Sequence, residues 1–156
     1  MKAIVYSRYG SPDVLRLSDI EKPVAAADEV VVKVCAAAVN PLDWHLMRGT
    51  PWIMRPGLGL RKPRGGRLGA DFAGVIETVG ANVKRFRPGD TVFGGRPGAF
   101  AEYISVPVDR ALAPKPANLS FEQAASVPIA GVTALQALRD KGNVQAGQKV
   151  LINGAA

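Results

Sequence analysis

Apolar residues near the start of the chain recur with the period of a strand. Glu29 to Ala38 carries Val30, Val32, Val34 and Ala36 on one side and Glu29 and Lys33 on the other, the alternation of a half-buried sheet. Lys2 to Ser7 and Val14 to Ser18 are shorter apolar runs, and Tyr9-Gly10-Ser11-Pro12-Asp13 between them has turn chemistry, so the pair predicts a hairpin. Asn40-Pro41-Leu42-Asp43 predicts the start of a short helix that ends by Gly49. Asparagine accepts from helix amides that lack partners, and proline fits the first helical position. From Leu68 to Gly94, short apolar runs alternate with turns at Gly80 to Asn82 and at Arg87-Pro88-Gly89-Asp90. Gly98 to Val106 adds a further run with Phe100, Tyr103 and Ile104. Several short strands with Gly69, Gly74, Gly80, Gly89 and Gly94 as corners predict a compact, partly closed β-barrel.

The pattern changes after Pro116. Ser120-Phe121-Glu122-Gln123 has the spacing of a capping box and opens a short helix. Pro128 to Arg139 predicts a second helix, closed by Gly142, and Gln145-Ala146-Gly147-Gln148 a turn. Lys149 to Asn153 is then an apolar strand followed at once by Gly154, Ala155 and Ala156. A barrel, a helix and an apolar strand running into small residues make a parallel α/β unit the natural continuation. The fold class is therefore mainly β with α.

Composition narrows the function. A chain of 156 residues that is 47% hydrophobic suits one ordinary globular domain with a real core. No stretch approaches the roughly 18 to 20 uninterrupted apolar residues of a membrane helix, and MKAIVYSRYG lacks the apolar run of a secretory signal. The expectation is a cytoplasmic protein with no membrane partner. A single cysteine, Cys35, rules out an internal disulfide, and with a single histidine, His45, the chain is short of the about three or four ligands of a Cys/His zinc site. The net charge of +7 raises nucleic acid as a partner. The densest basic stretch holds Arg55, Arg61, Lys62, Arg64 and Arg67 with no acid and no aromatic between them, and no stacking platform accompanies it. It reads as a solvated loop, so no nucleic-acid partner is expected.

Four stretches in sequence order, NPLDWHLMRG, GADFAGVIETVGANVKRFRPGDTVFG, SVPIAGVTALQAL and KVLINGAA, closely resemble the medium-chain dehydrogenase/reductase superfamily, in its zinc-free quinone oxidoreductase-like branch. The resemblance runs from Met1 to Ala156. It implies a GroES-like, alcohol dehydrogenase-like catalytic domain over residues 1–125. Residues 126–156 would be a connecting helix and the first strand of a Rossmann domain whose remainder is absent. The implied activity of the complete protein is hydride transfer from NADP(H), with NAD(H) the less frequent choice, to a small-molecule quinone or activated alkene, in a homodimer. The 156-residue chain alone is expected to be inactive.

Zinc-dependent members of the superfamily carry a cysteine where Asn40 stands and a histidine where Ala70 stands, so the resemblance implies no zinc. It places Asn40 near the nicotinamide, although a helix cap alone accounts for an Asn-Pro pair. It places Thr133 against the cofactor, where the alternative is a hydroxyl bonded within its own helix. Gly154 and Ala155 would open the glycine-rich turn under the dinucleotide phosphates. Trp44 and His45 would face the substrate pocket, and no catalytic residue stands out. Asp43 and Arg48 are expected to pair on their short helix, and Asp71 to sit in a local ion pair. The alternative function is a stand-alone GroES-like module that binds a protein through a β-edge or loop. The KVLINGAA run weighs against it.

Overall fold

The structure, a computed structural model, describes residues 1–109 and 112–154. Its elements follow in the order β1 (Lys2–Val5), β2 (Arg16–Asp19), β3 (Glu29–Ala38), α1 (Pro41–Arg48), α2 (Arg55–Leu58), β4 (Asp71–Val79), β5 (Thr91–Gly95), β6 (Tyr103–Pro107), β7 (Leu112–Pro114), α3 (Phe121–Ala125) and α4 (Pro128–Leu135). A π-helical turn, Gln136–Lys141, extends α4. β1 and β2 form the predicted hairpin with Lys2 opposite Asp19 and Val5 opposite Arg16. The other five strands make one antiparallel sheet in the order β6-β3-β4-β5-β7.

This sheet is not a closed barrel, because β6 and β7 remain as its two edges. The hairpin is stitched to the segment before β6: Ile4 N–H donates to the Phe100 carbonyl at 2.8 Å and Glu102 N–H to the Lys2 carbonyl at 3.0 Å. Backbone bonds of this kind hold separate sheets together without a shared ladder. Val30, Val32, Phe72, Ile76, Val92, Ile104 and Val106 meet in the main core, drawn from four neighbouring strands. Tyr6, Val14, Met47 and Leu68 form a second cluster that seats α1 against the hairpin.

Strict alternation fails in β3. Val31 is as fully buried as Val30 and Val32, and the ladder to β4 slips at Val31/Val32 and at Val34/Ala36. Bulges add a residue to one strand and turn side chains out of phase. At the second slip the strands press together so closely that a Cβ on Gly74 would stand 2.1 Å from the Lys33 carbonyl oxygen. Gly74 is thus a close-approach glycine inside β4, not a corner.

The capping box forms as expected, with Gln123 N–H donating to Ser120 Oγ at 3.2 Å and Ser120 N–H to Gln123 Oε1 at 2.9 Å. Behind it Ala124 and Ala125 pack on Ala73 of β4, which docks α3 on the sheet and aims α4 at the start of β4. The basic loop is more built than expected. Arg55 opens α2 and lies between the rings of Tyr9 and Trp52, at 4.6 and 4.5 Å, while its Nε donates to the Gly49 carbonyl at 2.9 Å.

Lys149 to Asn153, a run expected to stay poorly ordered without parallel partners to bury it, forms no strand. The segment carries no ladder, and Val150, Leu151 and Ile152 are exposed. A strand exists only through its partners, and no described residue pairs with this one.

Candidate functional site

β3 ends where β4 begins, with Ala38 opposite Asp71. The chain leaves β3 through Val39 and Asn40 into α1, so residue 40 is delivered beside the first residue of β4. Asn40 and Asp43 form a capping box in which Asn40 N–H donates to Asp43 Oδ2 at 2.8 Å. The other oxygen of Asp43 accepts from Gly69 N–H at 2.9 Å, and the whole residue is buried. Asn40 Nδ2 donates to Asp71 Oδ2 at 3.2 Å. Ile129 N–H, in the first turn of α4, donates to the same oxygen at 3.0 Å. One carboxyl oxygen therefore joins α1, β4 and α4.

Asp71 is 0% exposed, and its second oxygen, Oδ1, has no hydrogen-bond partner among the described residues. Burial pushes its carboxyl above the ordinary aspartate range and the nearby Asp43 pushes the same way, while the Ile129 N–H and the Asn40 amide pull it back. The ion pair expected at Asp71 is not there: no described Lys or Arg bridges to it. Nor do Asp43 and Arg48 pair. Asp43 is spent on two backbone amides, and Arg48 lies over the Trp44 ring at 5.1 Å.

The raised value has a consequence for stability. The folded chain holds the Asp71 proton more tightly than the unfolded chain, so this contribution is fully present below the ordinary carboxyl value of about 4 and is lost as pH rises through the folded value. Measured against Asp71→Asn, which cannot titrate, the wild-type chain is expected to lose relative stability as pH rises from about 4 and then level off. Urea unfolding at a series of pH values checks this. A relative stability that climbs with pH would mean that Asp71 is ionised comfortably in the fold.

Beside the junction lies a cavity of about 920 Å³ between α1, β5 and α4. Its walls are apolar, with Leu42, Phe93, Ile129, Val132 and Leu135 prominent, and the ionisable or hydroxyl side chains that line it are Asp71, Arg96 and Thr133. Arg96 is the single cation among the described residues of its lining and is already engaged, with Nη1 at 3.3 Å from Glu29 Oε1. The hydroxyl of Ser105 donates to the other oxygen of Glu29, and that bond, followed by the charge of Arg96, holds the Glu29 carboxyl below its ordinary range.

Of the residues singled out in the sequence, Thr133 lines this cavity, and Asn40 adjoins it through Asp71. Trp44 and His45 do not line it: Trp44 is half exposed, edge-on to His45 with ring centres 4.9 Å apart, and His45 Nδ1 lies 3.0 Å from the Thr50 carbonyl oxygen. Gly154 is exposed at a positive φ of 67° away from the lining, and Ala155 lies outside the described residues. Sequence reasoning undervalued Asp71. Its signal was an acid set in Leu68-Gly69-Ala70-Asp71-Phe72-Ala73-Gly74-Val75, because an acid within an apolar run is buried only with partners. Among the described residues no three His, Cys, Asp or Glu side chains gather to hold a metal, and no helix is long and apolar enough to cross a membrane.

An open antiparallel sheet with a capped helix at the end of β3, an apolar cavity beside that cap and a further helix lining the cavity defines a GroES-like domain of the dehydrogenase kind. Residues 26–117 match the alcohol dehydrogenase GroES-like domain, and the chain belongs to that family, in the quinone oxidoreductase-like branch of the medium-chain dehydrogenase/reductase superfamily. The human quinone oxidoreductase is 37% identical over 159 residues, covering 100% of this chain and 46% of the human protein. A chloroplastic NADPH-dependent alkenal/one oxidoreductase of Arabidopsis thaliana is 38% identical over 173 residues, covering 99% of this chain and 41% of that protein. The solved quinone oxidoreductase of Coxiella burnetii superposes with a TM-score of 0.80 at 36% identity, over 94% of this chain and 46% of that one. The chain thus spans about half the length of the curated relatives it matches.

Proposed function

We propose that this chain is the substrate-facing part of a zinc-independent oxidoreductase that uses NADPH, with NADH as the second choice, to reduce a quinone or an activated alkene. Residues 1–125 form the catalytic domain in this reading, and residues 126–156 lead into the nucleotide-binding half. The whole protein is a cytoplasmic homodimer acting on small molecules, with neither nucleic acid nor membrane as a partner. The observation that carries the reading is the apolar cavity flanked by the Asn40–Asp71–α4 junction. The human and Coxiella relatives are named for quinones and the Arabidopsis relative for alkenals and enones with NADPH, which supports both acceptor classes.

The residues present fit the nicotinamide end of such a cofactor. Flat rings suit apolar walls, and the Asn40 amide and Thr133 hydroxyl are the polar groups that would orient a carboxamide or an acceptor oxygen. When bound, the dinucleotide supplies the hydride. Leu42, Phe93, Val132 and Leu135 give a flat ring an apolar wall to lie against. Charge arriving on a quinone or enone spreads to its oxygen, where a hydroxyl or amide donor meets it without a metal. Asn40 and Ala70 offer neither thiolate nor imidazole, so simple alcohols lose the Lewis acid that their oxidation needs.

Steady-state assays of the full-length protein are expected to show NADPH oxidation with quinones and conjugated enones and very little turnover of simple alcohols. Robust alcohol oxidation that collapses with a chelator defeats the zinc-independent assignment. Elemental analysis after dialysis is expected to find no stoichiometric zinc, and a value near one zinc per chain contradicts it independently of any assay.

A further inference from the structure

We propose that Asp71 is a positioning residue whose Oδ2 ties the Asn40 amide to the first turn of α4, fixing Asn40, beside the cavity, relative to Thr133 in its wall. The inference rests on the functional reading above for the use made of Asn40 and Thr133. The tie itself rests on geometry alone.

Two donors from distant parts of the chain converge on one oxygen: Asn40 Nδ2 at 3.2 Å, from the N-terminal cap of α1, and Ile129 N–H at 3.0 Å, from α4. Asp71 is 0% exposed, and its backbone is held in β4 between β3 and β5, so the acceptor is anchored in the sheet. The Asn40 backbone is fixed separately by Asp43. That leaves its side-chain torsions as the remaining freedom, and the bond to Asp71 removes it. Thr133 lies one turn further along the helix whose first amide is bound to the same oxygen.

A buried carboxyl facing a cavity also suggests a proton donor to substrate, but the geometry points away from that role. Oδ1, the oxygen free to carry a proton, is itself buried and has no hydrogen-bond partner among the described residues. The working atom is Oδ2, as an acceptor. An acceptor needs no titratable group, and an asparagine carbonyl in the same place serves as well.

The test separates these roles. In the full-length protein Asp71→Ala is expected to lower kcat for quinone reduction by up to about 100-fold, the effect of letting a substrate-orienting group drift. Asp71→Asn is expected to recover most of that loss. Asn40→Ala is expected to cost a similar factor, and the double variant Asn40→Ala/Asp71→Ala no more than either alone, since residues that act as a unit are not additive. On the 156-residue chain, NMR hydrogen exchange of the Asn40 side-chain amide is expected to be slowed roughly three- to tenfold, the factor one net hydrogen bond gives, in wild type and Asp71→Asn and not in Asp71→Ala.

Multiplying losses in the double variant overturn the proposal. So does an Asp71→Asn variant as damaged as Asp71→Ala, which would assign a proton-transfer role, and so does an unprotected Asn40 amide in wild type. A wild-type protein that oxidises no reduced nicotinamide defeats the functional reading instead. The exchange measurement still decides the tie in that case.

Discussion

Replacing Asp43 by alanine is expected to remove about 3 kcal/mol or more of folding stability, a large part of the 5 to 15 kcal/mol that holds an ordinary domain together. Asp43 is 3% exposed, and its two oxygens accept from two backbone amides, Asn40 N–H at 2.8 Å and Gly69 N–H at 2.9 Å. Each bond to a charged acceptor contributes about 1.5 to 3 kcal/mol, and alanine leaves both donors without a partner where water does not easily reach. The Gly69 amide sits at the approach to β4 and the Asn40 amide at the start of α1, so the loss also unlatches the helix from the sheet. Asp43→Asn keeps one carbonyl acceptor and turns an amide towards the other donor, and is expected to fall between the two. Urea unfolding of the 156-residue chain provides the measurement. A loss below about 1 kcal/mol for Asp43→Ala would mean that water replaces both bonds and that α1 needs no latch.

The same residue shows what can be read from a sequence and what cannot. Asn40-Pro41 and Asp43 announced a helix start because a cap is local, decided within one turn by the residues themselves. Ser120 and Gln123 were legible for the same reason. The hairpin of β1 and β2 and the long strand β3 followed from alternation and turn chemistry. The bond that turns Asn40 from a cap into part of a site was not legible, since Asp71 lies 31 residues away and Ile129 a further 58 beyond it. Val31 escaped the alternation because a bulge is a property of two strands at once. Arg55 looked solvated for want of an aromatic in its own basic stretch; one of its rings is Tyr9, supplied by the turn after β1. Lys149 to Asn153 has every local mark of a strand and no partner among the described residues, which shows that β-propensity reports a fit to neighbours more than a backbone preference.

The 156-residue chain is expected to bind NADPH with a dissociation constant in the millimolar range or weaker, about a thousandfold above the micromolar value expected of the full-length protein. Confining a ligand costs an estimated 4 kcal/mol or more. Against this the cavity offers Asn40 and Thr133, whose hydrogen bonds net roughly 0.5 to 1.5 kcal/mol each. Arg96, the single cation among the described lining residues, is already held by Glu29 and would have to be drawn away to meet a phosphate. Helix N-termini are the usual seats for dinucleotide phosphates, but the Ile129 amide at the start of α4 is already bound to Asp71, whose buried carboxyl repels an anion when ionised. The apolar wall helps little, because Val132 and Leu135 remain 51% and 49% exposed, so this part of it stays in contact with water. Calorimetric titration of the chain with NADPH, run beside the full-length protein, decides the matter. Micromolar binding by the 156-residue chain would place the main cofactor contacts on α1, β4 and α4, and would make the Asn40–Asp71 junction the centre of the binding site in place of its edge.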